Sequence, residues 1–182
     1  MPVSVIEKAA LIVLDLQVAT GGLPSVPHTV ANIVGRSVAL ADAFRAKDLP
    51  VVWVTVGGGS ASRVQNAPGG GELPGNWAEP LPELAVQPAD HLFVKYAWGA
   101  FHDDRLAELL AKLNVEQIVL TGVTTSYAVE STARAAYDRG LHVVVVADAI
   151  GDLNPEAHAN SIERVFPNLG ELGTADEVID KL

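Results

Sequence analysis

Residues 10–17 read Ala-Leu-Ile-Val-Leu-Asp-Leu-Gln: five apolar side chains in succession, then Asp15. A strand with one wetted face would alternate apolar and polar residues. This run does not, so it reads as a strand buried on both faces, as in a parallel sheet covered by helices. Three more runs have the same character, Val51 to Val56, Ile118 to Leu120 and Val143 to Ala147, and Leu92 to Val94 is a weaker fifth. Between them lie segments with helical spacing: Val30, Ile33, Val34, Val38, Ala41 and Phe44, then Leu106, Leu109, Leu110 and Leu113. Glu130 to Arg139 and Pro155 to Val165 supply further helices, with Gly140 as a C-terminal stop and Pro155 in a first turn. Strand and helix alternating in this order predict right-handed βαβ units and a doubly wound α/β sheet.

The 182 residues, 49% of them apolar, suffice for one sizeable core, so residues 1–182 are expected to form a single domain. Met1 to Lys8 lacks a basic flank followed by an apolar region, so no membrane or secretory targeting is expected, and a cytoplasmic location fits. A net charge of -10 without a Lys or Arg run would repel phosphate backbones and anionic lipid, which argues against nucleic acid and membrane partners. Cysteine is absent, which removes disulfides and thiol chemistry together. The stretch from Gly57 to Asp90 carries two Gly-Gly-Gly triplets and five prolines and is expected to be a long irregular loop. It could cover the site or make an oligomer contact through Trp77, or it could be a surface excursion.

In open α/β sheets ligands collect beyond the carboxyl ends of the strands. Asp15, Lys95, Gly122 to Ser126 and Asp148 follow the apolar runs and are the polar groups expected there. A carboxylate and an ammonium facing one another across a pocket would set burial, which raises the acid's pKa, against a cation that lowers it. Taken singly, Asp15 could be a cap and Lys95 a surface lysine; only together do they point to chemistry. The run Thr124-Thr125-Ser126 leads into a helix near Ala128, where free backbone N–H groups could hold an oxyanion, or the hydroxyls could simply cap.

Four motifs now occur in order. They are Ala10 to Gln17, Lys95-Tyr96-Ala97-Trp98-Gly99-Ala100-Phe101, Leu120-Thr121-Gly122-Val123-Thr124-Thr125, and Val129 to Gly140. Together they resemble the isochorismatase-like (cysteine hydrolase) superfamily, over residues 10 to about 150. The resemblance implies a three-layer α/β/α fold on a six-stranded, mostly parallel, Rossmann-like sheet, in a homodimer or higher homo-oligomer. It implies that Asp15 is the acid/base, that Lys95 is its catalytic partner, and that a cis peptide joins Val123 to Thr124 at an oxyanion-binding turn.

The same alignment puts Ala128 where amidase relatives carry the nucleophilic cysteine, and a methyl group cannot attack a carbonyl. Where the metal-dependent branch has Asp and His, this chain has Gly57, Gly58 and Gly59, so no metal and no other cofactor is expected. The resemblance thus points to a metal-free, cysteine-independent hydrolase of a small, anionic organic molecule. Vinyl ether hydrolysis suits it, because there an acid protonates the substrate and water adds. Two alternatives stand beside it: a silent relative that binds a metabolite or a partner protein, and an amidase inactivated by Cys-to-Ala at 128. Gln17, Trp98, Phe101, Val123, Thr124 and Tyr127 are the expected substrate contacts, Gln17 by alternation with Asp15 and the aromatics as pocket walls. Glu130 and Arg134 have the spacing of a structural i,i+4 pair; Asp148 is expected to organise the loop after its strand, and His158 to pack or cap.

Overall fold

The computed structural model describes residues 3–59, 63–65 and 75–182. Six strands, β1 (Ala9–Leu14), β2 (Val51–Val56), β3 (His91–Lys95), β4 (Gln117–Val123), β5 (His142–Gly151) and β6 (Glu171–Gly173), form one sheet. Their order is β3-β2-β1-β4-β5-β6 and every neighbouring pair is parallel. Chain progression reverses between β1 and β4, which opens a crevice at their carboxyl ends.

The uninterrupted apolar runs are explained by what covers them. Alternate residues of β1 feed two cores, Leu11 and Val13 into one, Ala10, Ile12 and Leu14 into the other. The first core is closed by α1 (Val30–Arg45) and α5 (Ala175–Ile179), the second by α2 (Arg105–Lys112) and α3 (Glu130–Asp138). Thr29 caps α1 by accepting from the Asn32 N–H, and Ile33, Leu40 and Phe44 fill its inner face. No helix among the described residues is long and apolar enough to cross a membrane.

Several elements differ from the sequence expectation. β5 runs on to Gly151, past a register shift against β4 between Leu120 and Gly122. Asp148 therefore lies inside a strand and not in a loop after it. Its carboxylate accepts from the Ala175 N–H at 2.8 Å and pairs with Arg36, tying β5 to α5 and α1. The helix from Pro155 ends at Asn160 as α4 and continues as a π-helical turn, Ser161–Val165. β6 and α5 have no counterpart in the apolar runs, since three residues with a single large apolar side chain, Leu172, leave no periodic signal.

Of the long loop, residues 60–62 and 66–74, with Gly69 to Gly71, Pro68 and Pro74, lie outside the described residues. The rest holds one 3-10 turn, Pro82–Leu84, and is otherwise irregular. Its second half zips back along the chain after β1: the N–H groups of Val18, Ala19 and Leu81 donate to the carbonyls of Glu79, Trp77 and Leu16.

Candidate active site

β1 ends at Leu14, and Asp15 turns off the strand with φ 55°, in the left-handed region. Its N–H still reaches the Val54 carbonyl at 2.8 Å, and its own carbonyl accepts from the Thr20 hydroxyl. Two anchors thus hold a strained residue and aim its side chain across β2 toward β3. Lys95, the last residue of β3, meets it there: Lys95 Nζ donates to Asp15 Oδ2 at 2.8 Å and to the Ala97 carbonyl at 2.9 Å. Both residues are buried, at 7% and 2% exposure. Asp15 Oδ1 is buried with no hydrogen-bond partner among the described residues. Burial pushes the Asp15 carboxyl up to about 6, the Lys95 ammonium countering only part of that rise.

The pair lies at the wall of a cavity of about 430 Å³, which Val123, Thr124, Tyr127, Ala128 and Trp98 also line. Gly122 makes this approach possible. Its φ of +120° and the 2.0 Å from an added Cβ to the Leu14 carbonyl oxygen leave room for no side chain. The Val123–Thr124 peptide is cis. Thr125 to Val129 form a π-helical turn leading into α3, and Ala128 faces the cavity with its methyl group.

Two expected contacts are absent. Gln17 is fully buried, and its amide donates to the carbonyls of Val56 and Trp77 while accepting from the Val56 N–H at 2.7 Å. With every polar atom engaged in clamping the loop to β2, it does not line the cavity. The positive φ at Asp15 breaks the strand alternation on which the expectation for Gln17 rested. Phe101 is buried in the core under α2 and α3, with the Arg139 guanidinium 4.9 Å from its ring centroid. Thr132 Oγ1 accepts from the Ala100 N–H at 3.0 Å and draws that segment inward, away from the cavity.

Other lining groups were not among the expected substrate contacts. Thr20, Leu23, Val56, Gly58, Gly59 and Ala97 come together only through the fold. Trp77, flagged within the long loop, is brought to the wall by the Gln17 clamp. Asp152, just beyond β5, is 1% exposed and accepts from both the N–H and the hydroxyl of Ser126, at 2.7 and 2.8 Å. His158 packs as expected, its Nδ1 2.9 Å from Thr125 Oγ1, and burial lowers its pKa against the opposing pull of Asp152. These two brace the turn from behind. Glu130 and Arg134 do form an ion pair. No group of three or more His, Cys, Asp or Glu among the described residues is placed to hold a metal.

The isochorismatase domain family matches residues 9–177 of the chain. The isochorismatase family protein YecD of Escherichia coli O157:H7 is 34% identical over 182 residues, covering 97% of each chain. YwoC of Bacillus subtilis strain 168, of the same family, is 33% identical across 97% of this chain and 95% of its own. Among solved structures, an isochorismatase family protein from Burkholderia thailandensis superposes with a TM-score of 0.92 at 35% identity, over 98% of this chain and 97% of that one.

Proposed function

The chain belongs to the isochorismatase family, and from that premise we propose that it hydrolyses a small organic enol ether with Asp15 as the acid, Lys95 as its partner and no protein nucleophile. The observation that carries this reading is the buried contact of 2.8 Å between Lys95 Nζ and Asp15 Oδ2 in a cavity whose neighbouring wall, at Ala128, is chemically inert.

The protonated Asp15 carboxyl gives its proton to the terminal carbon of the C=C–O unit. The lone pair of the ether oxygen stabilises the carbon left electron-poor. Water adds to that carbon, and the resulting hemiketal breaks its original C–O bond to release an alcohol and a carbonyl compound. A proton from the added water returns to Asp15, so atoms balance with water as the only co-reactant. Lys95 stabilises the carboxylate during the interval in which the proton is away. An amide has no such carbon to protonate, and without a thiol at 128 the acyl-enzyme route is closed. We further propose a homo-oligomer, from the resemblance to the family.

Incubation with isochorismate and simpler enol ethers tests the reading, with Asp15→Asn as control. Turnover is expected in the wild type and a loss of about 10²–10⁴-fold in the variant. Because the acid must carry its proton, kcat/KM should be flat below pH 6 and fall about tenfold per unit above it. Turnover by Asp15→Asn at the wild-type rate, or none by either protein, rejects the proposal.

A further inference from the structure

A second cavity, of about 550 Å³, opens at the amino edge of the sheet, where β4, β5 and β6 begin. It is larger than the cavity beside Asp15 and lies about 20 Å from it, the length of the seven residues of β4. One wall is the segment before β1. Gln117, 3% exposed, accepts from the Ile6 N–H at 3.0 Å and donates to the Ser4 carbonyl at 2.8 Å, which fixes that segment over the start of β4. Glu171, the first residue of β6, lines the cavity beside it. The Ser4 N–H donates to Glu171 Oε2 at 2.7 Å, and the Ser4 hydroxyl lies 3.0 Å from both carboxylate oxygens. Neutral donors thus orient the carboxylate, but no Lys or Arg among the described residues pairs with it. Nor does any Lys or Arg appear in the described lining.

A second feature of the cavity has the same electrostatic sign. α3 ends at Asp138, and its carbonyl end borders the cavity through Tyr137, Gly140 and Leu141. That end of a helix carries partial negative charge and favours a cation. Ile6, Leu141, Pro167 and Leu169 add apolar surface, and Tyr137, 54% exposed, adds an aromatic ring. We propose that this cavity binds a small organic ammonium with an apolar body, its charge set between the Glu171 carboxylate and the carbonyl end of α3. An ammonium gives a carboxylate charge-assisted hydrogen bonds that a neutral group of the same shape cannot match, and it is drawn to the ring of Tyr137 as well. An anionic ligand would meet Glu171 with no countercharge. A divalent metal needs several oxygen ligands and would find one carboxylate, since no group of three or more His, Cys, Asp or Glu is gathered among the described residues. The net charge of -10 raises the concentration of cations near the surface and so favours the encounter. The site is independent of the chemistry at Asp15 and stands whether or not enol ethers are the substrates.

Phenethylammonium, phenethyl alcohol and phenylacetate share one apolar body and differ in charge. Each is titrated into the nitrogen-labelled protein, and binding is read from the backbone amide shifts by NMR. Phenethylammonium should move the amides of Gly140, His142 and Gly170 and bind on the order of tenfold more tightly than the alcohol, while phenylacetate leaves them in place. Glu171→Gln keeps an acceptor for Ser4 and should make the ammonium and the alcohol equal. Tyr137→Leu should weaken the ammonium several-fold and Tyr137→Phe should restore it. Because Tyr137 is exposed, this second pair of variants decides the question even where Glu171→Gln unsettles β6. No shift with phenethylammonium, equal affinities of the ammonium and the alcohol in the wild type, or binding of phenylacetate at these amides overturns the proposal. So does a preference for the ammonium that survives Glu171→Gln in a folded protein, or an affinity untouched by Tyr137→Leu. Shifts confined to Thr124 and Ala128 would put the amine in the other cavity, and displacement of phenethylammonium by equimolar calcium would make this a metal site; either result also rejects it.

Discussion

Asp15 combines burial, backbone strain and a single cationic partner, and its protonation is therefore linked to the stability of the fold. Its carboxyl is raised from 3.8 to about 6, so the folded chain holds that proton more tightly than the unfolded chain does. Below pH 3.8 both states are protonated and the contribution is complete. Between 3.8 and 6 the unfolded chain ionises first, stability falls as pH rises, and above 6 the loss levels off. At 1.36 kcal/mol per unit the whole change is ~3 kcal/mol. Urea unfolding of the wild type and of Asp15→Asn across this window should show the wild type losing ground to the variant as pH increases. A constant difference would mean that Asp15 does not titrate there. The residues behind the turn obey the same logic of burial with compensation: Asp152, at 1% exposure, is kept in the interior by hydrogen bonds from Ser126 and Asn154.

Elements place these residues, and the junction of β1 with β4 is the most constrained. Gly122 pairs with Leu14 across it, with no space for a methyl group and a φ that side chains rarely adopt. Gly122→Ala must push the two central strands apart at the edge that carries Asp15. A loss of more than about 3 kcal/mol is expected, combining backbone strain with broken sheet packing. Thermal unfolding measures it, and a Tm within error of the wild type would contradict the geometry. Gly140, by contrast, has a positive φ with open space around it, so an alanine there meets conformational strain alone. At the other flank of the site, the Gln17 amide joins β2 to the returning loop and so carries Trp77 to the cavity, a structural role exercised at one remove from the ligand.

At the level of the whole molecule, the sheet is shared by both cores. Neither face can lose its helices without exposing the backs of the same strands, β1 and β4 above all. We therefore propose that residues 1–182 behave as a single cooperative domain. Unfolding curves from far-ultraviolet circular dichroism and from Trp53 emission should coincide, since Trp53 lies in the core under α1. Separate transitions would show two units.

Local chemistry was sufficient for much of this architecture. Continuous apolar runs at residues 10–14, 51–56, 118–120 and 143–147 mark strands buried on both faces wherever they occur, because burial demands apolar side chains at consecutive positions. Polar residues directly after such runs, Asp15 and Lys95, then stand at the sheet edge where ligands collect. What a linear order of residues cannot contain is direction after a bend. The left-handed Asp15 turned Gln17 inward, a hydrogen bond from Ala100 to Thr132 pulled Phe101 into the core, and β5 ran on past Asp148 to present Asp152. Those outcomes depend on contacts between segments dozens of residues apart, and only the packed tertiary structure decides which of them form.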